Sequence, residues 1–120
     1  MYQVIFYKNY KEGSEIKLYL KKLQQSNTKS NRIESNKINA YINKLEQYGF
    51  ALGYPYLKQL TKEIWELRPL DNRILLAYYK DNIFLLLSIF KKRTNKTPSN
   101  EIKRAQKYLN DFLKGSAEDE

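Results

Sequence analysis

At 120 residues, the chain is long enough for one domain and too short for two adequate hydrophobic cores. It has no Cys and no His, which excludes disulfides, thiolate metal sites, cysteine nucleophiles and a histidine general base, so we predict no cofactor and no metal. With 22 Lys and Arg against 13 Asp and Glu the net charge is +9, and the body is more basic still because the last three residues are acidic.

Such a charge predicts a polyanionic partner, such as nucleic acid or the ribosome. The excess of Lys over Arg fits a biased nucleotide composition of the gene equally well, so the placement of the charges has to decide. No segment approaches the roughly 20 apolar residues of a membrane span, and the N-terminus lacks a signal-peptide cleavage site. We therefore expect a cytoplasmic protein with no membrane partner.

The first half of the chain predicts one strand and two helices. Residues 2–8 are β-branched and aromatic, which favours a strand. Apolar residues then recur at helical spacing over 14–25, after Ser14 as a suitable N-cap. Residues 26–32 are polar and predict a loop. A second amphipathic helix follows and ends at Gly49, a residue typical of helix C-termini.

The second half predicts a three-stranded meander and a last helix. A Gly- and Pro-containing segment at 49–57 forms a crossing loop. Three strands with a period of two residues follow at 64–68, 73–80 and 83–90, joined by turns at 69–72 and 81–82. A basic loop at 91–96 leads to Thr97 as N-cap and Pro98 as first residue of a helix that ends at Gly115.

These elements predict an α+β fold in the order β-α-α-β-β-β-α, with a mostly antiparallel sheet and helices packed on one of its faces. A single domain spans residues 1–115. The last residues, 116–120, form a disordered acidic tail.

The predicted meander brings charged residues together. A turn at 69–72 places Arg68 opposite Arg73, and two like charges in that position destabilise a hairpin unless an anion binds between them. Glu66 and Tyr79 lie on the same face, because alternate residues of a strand share a face. The interpretation therefore favours an anion site over charges that are merely solvated or paired across strands.

The next hairpin extends the same site. Counting outward from the turn at 81–82 pairs Leu75 with Ser88 and Arg73 with Phe90, so Ser88 and Lys92 join the face of Arg73. A one-residue slip in register would reverse the face of either strand. An apolar floor is predicted from Leu75, Ala77, Phe84 and Leu86. Further basic residues rim the site at Lys91, Arg93 and Lys96.

Two segments of this region resemble HigB-type toxins, the phage-derived branch of the RelE/ParE superfamily. They are Trp-Glu-Leu-Arg at 65–68 and Phe-Lys-Lys-Arg-Thr-Asn-Lys-Thr-Pro at 90–98, and the resemblance extends over about residues 45–112. It implies a RelE-like fold and the toxin of a type II toxin–antitoxin system, with a HigA-like helix-turn-helix antitoxin. It also implies cleavage of mRNA in the ribosomal decoding site.

By motif position, Arg73 matches the strand arginine near the scissile phosphate, and Arg68 and Lys92 match basic positions around it. With Glu66 as candidate base, these residues form the predicted catalytic set: Arg73, Arg68, Lys92 and Glu66. The RNA-binding set comprises Lys58, Tyr79, Ser88, Lys91, Arg93 and Lys96. Attack by the 2′-hydroxyl of the substrate requires no protein nucleophile, so a mechanism without any side-chain base stays open.

The chain departs from the resemblance at two places. Many relatives carry His where Ser88 stands, and many have a Tyr near the start of the last helix, where this chain has Ser99 and Asn100. Two alternatives therefore stay open: a ParE-like gyrase poison, and an RNA- or ribosome-binding module without catalysis. Lysines on the two first helices predict a docking surface for an acidic antitoxin or for ribosomal RNA, formed by Lys17, Lys21, Lys22, Lys37 and Lys44.

Overall fold

Three α-helices and five strands make up the described part of the protein in a computed structural model, which covers residues 1–9, 11 and 13–119, with side chains to residue 115. In chain order they are β1 (Gln3–Phe6), α1 (Glu15–Gln25), α2 (Lys29–Tyr48), a 3-10 turn (Gly49–Leu52), β2 (Leu57–Gln59), β3 (Trp65–Leu67), β4 (Asn72–Tyr78), β5 (Ile83–Lys91) and α3 (Ser99–Asp119).

The strands form one mixed sheet in the order β1-β5-β4-β3-β2. β1 runs parallel to β5, and the other three pairings are antiparallel, so the α+β class and the mostly antiparallel sheet are confirmed. β2 is an additional strand that the sequence does not predict. The architecture is consistent with a RelE-like fold.

Helices cover both faces of this sheet, and the prediction that they pack on one face is wrong. Ile74 and Leu76 of β4 face the core under α1 and α2, whereas Leu75 and Ala77 face a second core under α3. Residues 72–77 are therefore all buried. A strand that is apolar on both sides is typical of a sheet covered twice.

Polar caps define the ends of the first two helices. Ser14 Oγ accepts a hydrogen bond from Lys17 N at 3.3 Å, so the predicted N-cap of α1 is confirmed. Thr28 caps α2 in the same way, and the predicted loop at 26–32 is too long because residues 29–32 already belong to the helix. Polar residues on a solvent-facing helical turn have the same composition as a loop.

Glycine ends α2 but not α3. Gly49 has φ +55° and donates its N–H to Leu45 O, and the Tyr2 ring lies where a side chain at this position would project. α3 continues through Gly115 to Asp119, so the predicted helix end at Gly115 is wrong, and the backbone of 116–119 is helical. Glu120, the last residue of the predicted tail, lies outside the described residues. No helix in the described ranges is long and apolar enough to cross a membrane.

Candidate functional site

The turn between β3 and β4 positions the predicted arginines. Leu67 pairs with Ile74, and continuing this register places Arg68 opposite Arg73, as predicted. Asn72 N donates to Pro69 O at 3.0 Å, and Leu70 has φ +55°, an uncommon conformation for a side chain of this kind. The turn is therefore a tight one that fixes both arginines at one end of the sheet.

Glu66 links the two arginines to the segment before α3 at this end of the sheet. Its side chain is almost fully buried, and Oε1 lies 3.6 Å from Arg68 Nε and 3.9 Å from Arg73 Nε. Oε2 accepts a hydrogen bond of 2.5 Å from the Thr97 hydroxyl, just before α3. One buried carboxylate thus contacts two guanidinium groups and the segment that leads into the last helix.

Arg73 is held on one side and open on the other. Its Nη1 donates to Leu70 O and Asn72 O, both at 2.8 Å, and the residue is 7% exposed. Burial, followed by the nearby charge of Arg68, lowers the pKa of Arg73 from its usual value, although Glu66 opposes the shift. Nη2 makes no hydrogen bond to the described residues, so its donors are left for a ligand.

The basic loop after β5 closes over Arg73. Lys92 N donates to Asp71 O at 2.7 Å, which attaches the loop to the β3–β4 turn. The loop and Arg73 of β4 line a depression of about 10 Å³, room for about one water molecule. Its lining includes Arg73, Lys92, Arg93, Lys96 and Thr97. The structure therefore brings together Glu66, Arg68, Arg73 and the basic residues of the loop.

Lys91 lies apart from this group. Its Nζ donates to Glu34 Oε1 of α2 at 2.8 Å, and Glu34 also accepts from the Tyr19 hydroxyl and from Asn72 Nδ2. Burial alone would raise the pKa of Glu34, but these hydrogen bonds outweigh burial and lower that pKa. The hydrogen bond to Glu34 in turn raises the pKa of Lys91. Lys91 thus anchors β5 to α2 instead of rimming the site.

A cavity of about 550 Å³ borders this Glu34–Lys91 pair on the α2 side of the β3–β4 turn. Its lining includes Ile33, Leu70 and Asn72, and Asn72 Oδ1 is buried without a hydrogen-bond partner. The cavity therefore opens on the face of β4 opposite to the Arg73 side chain, because Asn72 and Arg73 are consecutive strand residues.

A bulge in β5 changes the floor of the site. Arg73 pairs with Phe90 and Leu75 with Ser88, as predicted, but the register then shifts, so that Leu76 pairs with Leu86. Phe84 and Leu86 consequently face the α1–α2 core, and their predicted place in the floor is wrong. Leu85 and Leu87 take it instead. Bulges recur beside active sites because they re-aim side chains.

Of the predicted RNA-binding residues, Ser88 is buried and Tyr79 lies far from the arginines. Ser88 lies on the face of Leu75 but is fully buried, and its hydroxyl has no hydrogen-bond partner among the described residues. Tyr79 packs edge to face on Phe112 of α3, with ring centroids 5.1 Å apart. Tyr79 directly follows the last residue of β4, about 20 Å from Arg73 at the usual rise per strand residue. Ser88 therefore makes no hydrogen bond to the arginines, and Tyr79 is too far away to do so.

A comparison with known families gives the wider context. The family model described as "Phage derived protein Gp49-like (DUF891)" matches residues 18–110, most of the chain and all of the site up to the first half of α3. The chain belongs to the Gp49-like family. This is a RelE/HigB-like toxin family, associated generally with toxin RNases, and it implies an antitoxin partner. A search of curated proteins finds no match.

The remaining predicted residues of this Gp49-like protein are exposed. Lys58 of β2 pairs with Glu66 of β3 and so lies on the face of the site. Two docking lysines pack on aromatic rings, since Lys17 Nζ lies 5.1 Å from the Phe6 ring and Lys44 Nζ lies 5.7 Å from the Tyr56 ring. All of the predicted docking residues are accessible, namely Lys17, Lys21, Lys22, Lys37 and Lys44.

Thr97 is the site residue whose role the sequence does not predict, because its position before Pro98 indicates only a helix cap. Its contact with Glu66 spans 31 residues of sequence, and no local pattern signals it. Among the described residues, no group of acidic side chains could hold a metal ion. The side chains brought together at this Gp49-like site are mainly cationic: guanidinium and ammonium donors held beside a buried carboxylate.

Proposed function

We propose that this protein is the toxin of a type II toxin–antitoxin system and inhibits translation by cleaving mRNA, in the ribosomal decoding site. One observation carries the proposal: Arg68 and Arg73 are fixed side by side by the buried Glu66, with Lys92 in the loop that closes over Arg73. Two adjacent cations of this kind are arranged for an anion with more than one oxygen, such as a phosphodiester.

The reaction needs no nucleophile from the protein. The 2′-oxygen of the substrate attacks the adjacent phosphorus and loses its proton, the bond to the 5′-oxygen breaks, and that oxygen leaves with a proton. The products are a 2′,3′-cyclic phosphate and a 5′-hydroxyl. Arg73 Nη2 and Arg68 stabilise the extra negative charge of the pentavalent transition state, because they are ordered before the substrate arrives.

Glu66 acts in this scheme as a positioning residue. Both of its carboxylate oxygens are engaged, and only 2% of the residue is exposed. A general base has to come within hydrogen-bond reach of the proton that it removes. The geometry therefore favours the electrostatic alternative over Glu66 as base, with Lys92 as the cation that meets the leaving oxygen.

The proposed partners follow from the family and from the charge. A helix-turn-helix antitoxin of acidic character would neutralise the toxin through the exposed lysines of α1 and α2, the surface that would otherwise contact ribosomal RNA. Docking there would keep the toxin away from the ribosome without filling the site around Arg73.

The test is cleavage of a defined mRNA by the purified protein, with and without translating ribosomes, read by primer extension. We expect cuts within translated codons, and Arg73→Ala should lower the rate at least 100-fold, the usual cost of removing one transition-state donor. Lys103→Ala on the exposed side of α3 is the matched control and should cleave normally.

Two other outcomes would assign the protein to the alternatives. RNA binding that weakens with salt, without any cuts, would indicate a binding module. Intact message together with breaks in DNA would indicate a gyrase poison. Cleavage by Arg73→Ala at the wild-type rate would refute the site itself.

A further inference from the structure

Tyr54 is the most exposed aromatic residue of the described chain and stands beside the arginines. Its exposed fraction is 73%, and the Arg68 guanidinium lies over the ring, with Cζ 5.5 Å from the ring centroid. Arg68 covers one face of the ring, so the exposed surface comprises the other face and the edge. An aromatic face open to water, next to two phosphate-binding side chains, calls for a planar ligand.

The loop that carries Tyr54 is fixed to the site. Gly53 O accepts hydrogen bonds from both Tyr56 N and Leu57 N, each at 3.0 Å. Tyr56 O in turn accepts from Arg68 N, also at 3.0 Å. The backbone that carries the ring is therefore held at a set position relative to Arg68 before any ligand binds, which reduces the entropy that binding has to overcome.

The other exposed tyrosines near this surface already have partners. Tyr56 packs on Tyr41 and lies under Lys44, and Tyr78 packs on Phe50 and Phe84. Tyr54 instead contacts a cation that itself belongs to the site, through the pair Arg68–Glu66. Its ring is thus part of the site and not of the core.

We propose that Tyr54 is a nucleobase-binding site, on which an unpaired base next to the scissile phosphate stacks while Arg68 and Arg73 hold that phosphate. The inference rests on the proposed function for the identity of the RNA, and it adds a base-dependent contact to a site that is otherwise purely electrostatic. Lys58, exposed on the same face of the sheet, lies where the RNA backbone continues. Stacking of this kind accepts every base, because each has a π face.

The test measures binding without chemistry. Fluorescein-labelled eight-nucleotide RNAs, 2′-O-methylated throughout, cannot undergo attack by the 2′-hydroxyl, so anisotropy reports affinity alone. One probe is oligo(A), and the second has the same backbone with abasic sugars. We expect the wild type to prefer oligo(A), and Tyr54→Ala to bind oligo(A) about tenfold more weakly while binding of the abasic probe is unchanged.

Two further variants separate stacking from loss of structure. Tyr54→Trp should bind oligo(A) at least as well as the wild type, since it keeps a ring. Tyr48→Ala, at an exposed tyrosine in the last turn of α2, is the matched control and should bind both probes like the wild type.

Equal weakening of both probes by Tyr54→Ala, no weakening of either, or failure of the wild type to prefer oligo(A) would overturn the base site. These results are distinct from failure of the proposed function. A base preference that depends on Tyr54 in a protein that cuts no mRNA would leave the base site standing and remove the nuclease. Cleavage of mRNA without a base preference that depends on Tyr54 would support the nuclease and remove the base site.

Discussion

Replacing Glu66 by Gln tests whether this buried carboxylate holds the two arginines. The substitution preserves shape and an oxygen for the Thr97 hydroxyl, but it removes the negative charge from between two cations. At 3.6 and 3.9 Å, with an effective dielectric constant of about 20, each attraction is worth about 4 to 5 kcal/mol before the cost of burying the charges. Desolvation and repulsion between the arginines cancel much of this sum.

The net effect follows from buried ion pairs in general. Removing one partner of a buried pair costs about 3–5 kcal/mol, and the retained Thr97 contact places Glu66→Gln near the low end, at about 3 kcal/mol. For a chain of this length 1 kcal/mol shifts the melting temperature by about 4 °C, so we expect a fall of about 12 °C. Urea denaturation followed by Trp65 fluorescence, together with thermal unfolding, measures both quantities.

Asp111→Asn is the matched control. It removes a carboxylate from the exposed pair with Lys107, at 3.6 Å, where the side chains are 75% and 50% exposed. Exposed pairs of this kind contribute little, and the change should stay within about 0.5 kcal/mol. A Glu66→Gln protein as stable as the wild type would refute the reasoning, because the arginines would then need no buried counter-charge. In cleavage assays, a positioning role predicts a lower rate with an unchanged pH profile, whereas loss of the acid limb of that profile would make Glu66 the base.

Two further predictions concern residues outside the site. The pKa of Glu34 is lowered in the folded protein, so its stabilisation is fully present above the unfolded carboxyl pKa of about 4.5 and is lost as the pH falls through the folded value. In urea titrations Glu34→Gln should therefore be less stable than the wild type at pH 7, and this difference in stability should close below pH 4.5. A difference that stays constant from pH 7 to 3 would contradict this. Gly49→Ala places a methyl group against the Tyr2 ring at a φ of +55°, so it should lower the free energy of unfolding by about 2–4 kcal/mol in denaturation experiments. The cost should shrink when Tyr2→Ala is added, and strict additivity of the two changes would show that the ring is not the obstacle.

The sequence predicts the local features of this fold well. Ser14 as N-cap, Gly49 as helix end and the turn at Asp81 and Asn82, both with positive φ, depend on a few neighbouring residues, and all are confirmed. The pairing of Arg73 with Phe90 is confirmed too, although it lies beyond the bulge as counted from the turn. Tyr79 lies opposite Ile83, one residue away from the position that a two-residue turn predicts, and the extra residue of β5 restores the counted register. Counting alone places Arg68 opposite Arg73, because the register between β3 and β4 has no shift.

Features that depend on distant contacts could not be predicted. The bulge at Leu87 of β5 leaves no mark in a run of leucines, so the sequence places Phe84 and Leu86 on the wrong face. The sequence does not predict the second helical layer, formed by α3, for a related reason: a continuous apolar strand indicates burial, but not which helix covers each side. The Lys91–Glu34 pair joins residues 57 positions apart, and the basic run at 91–96 gives no sign that its first member turns away.

The measurement that tests the central claim most directly is a map of RNA ends carrying a 5′-hydroxyl, taken within minutes of inducing the wild-type protein and the Arg73→Ala variant at equal levels. The electrostatic mechanism predicts new ends inside translated reading frames for the wild type, and none above background for Arg73→Ala. Growth arrest by the wild type with no new ends, or the same ends with Arg73→Ala, would contradict the claim that this site cleaves mRNA.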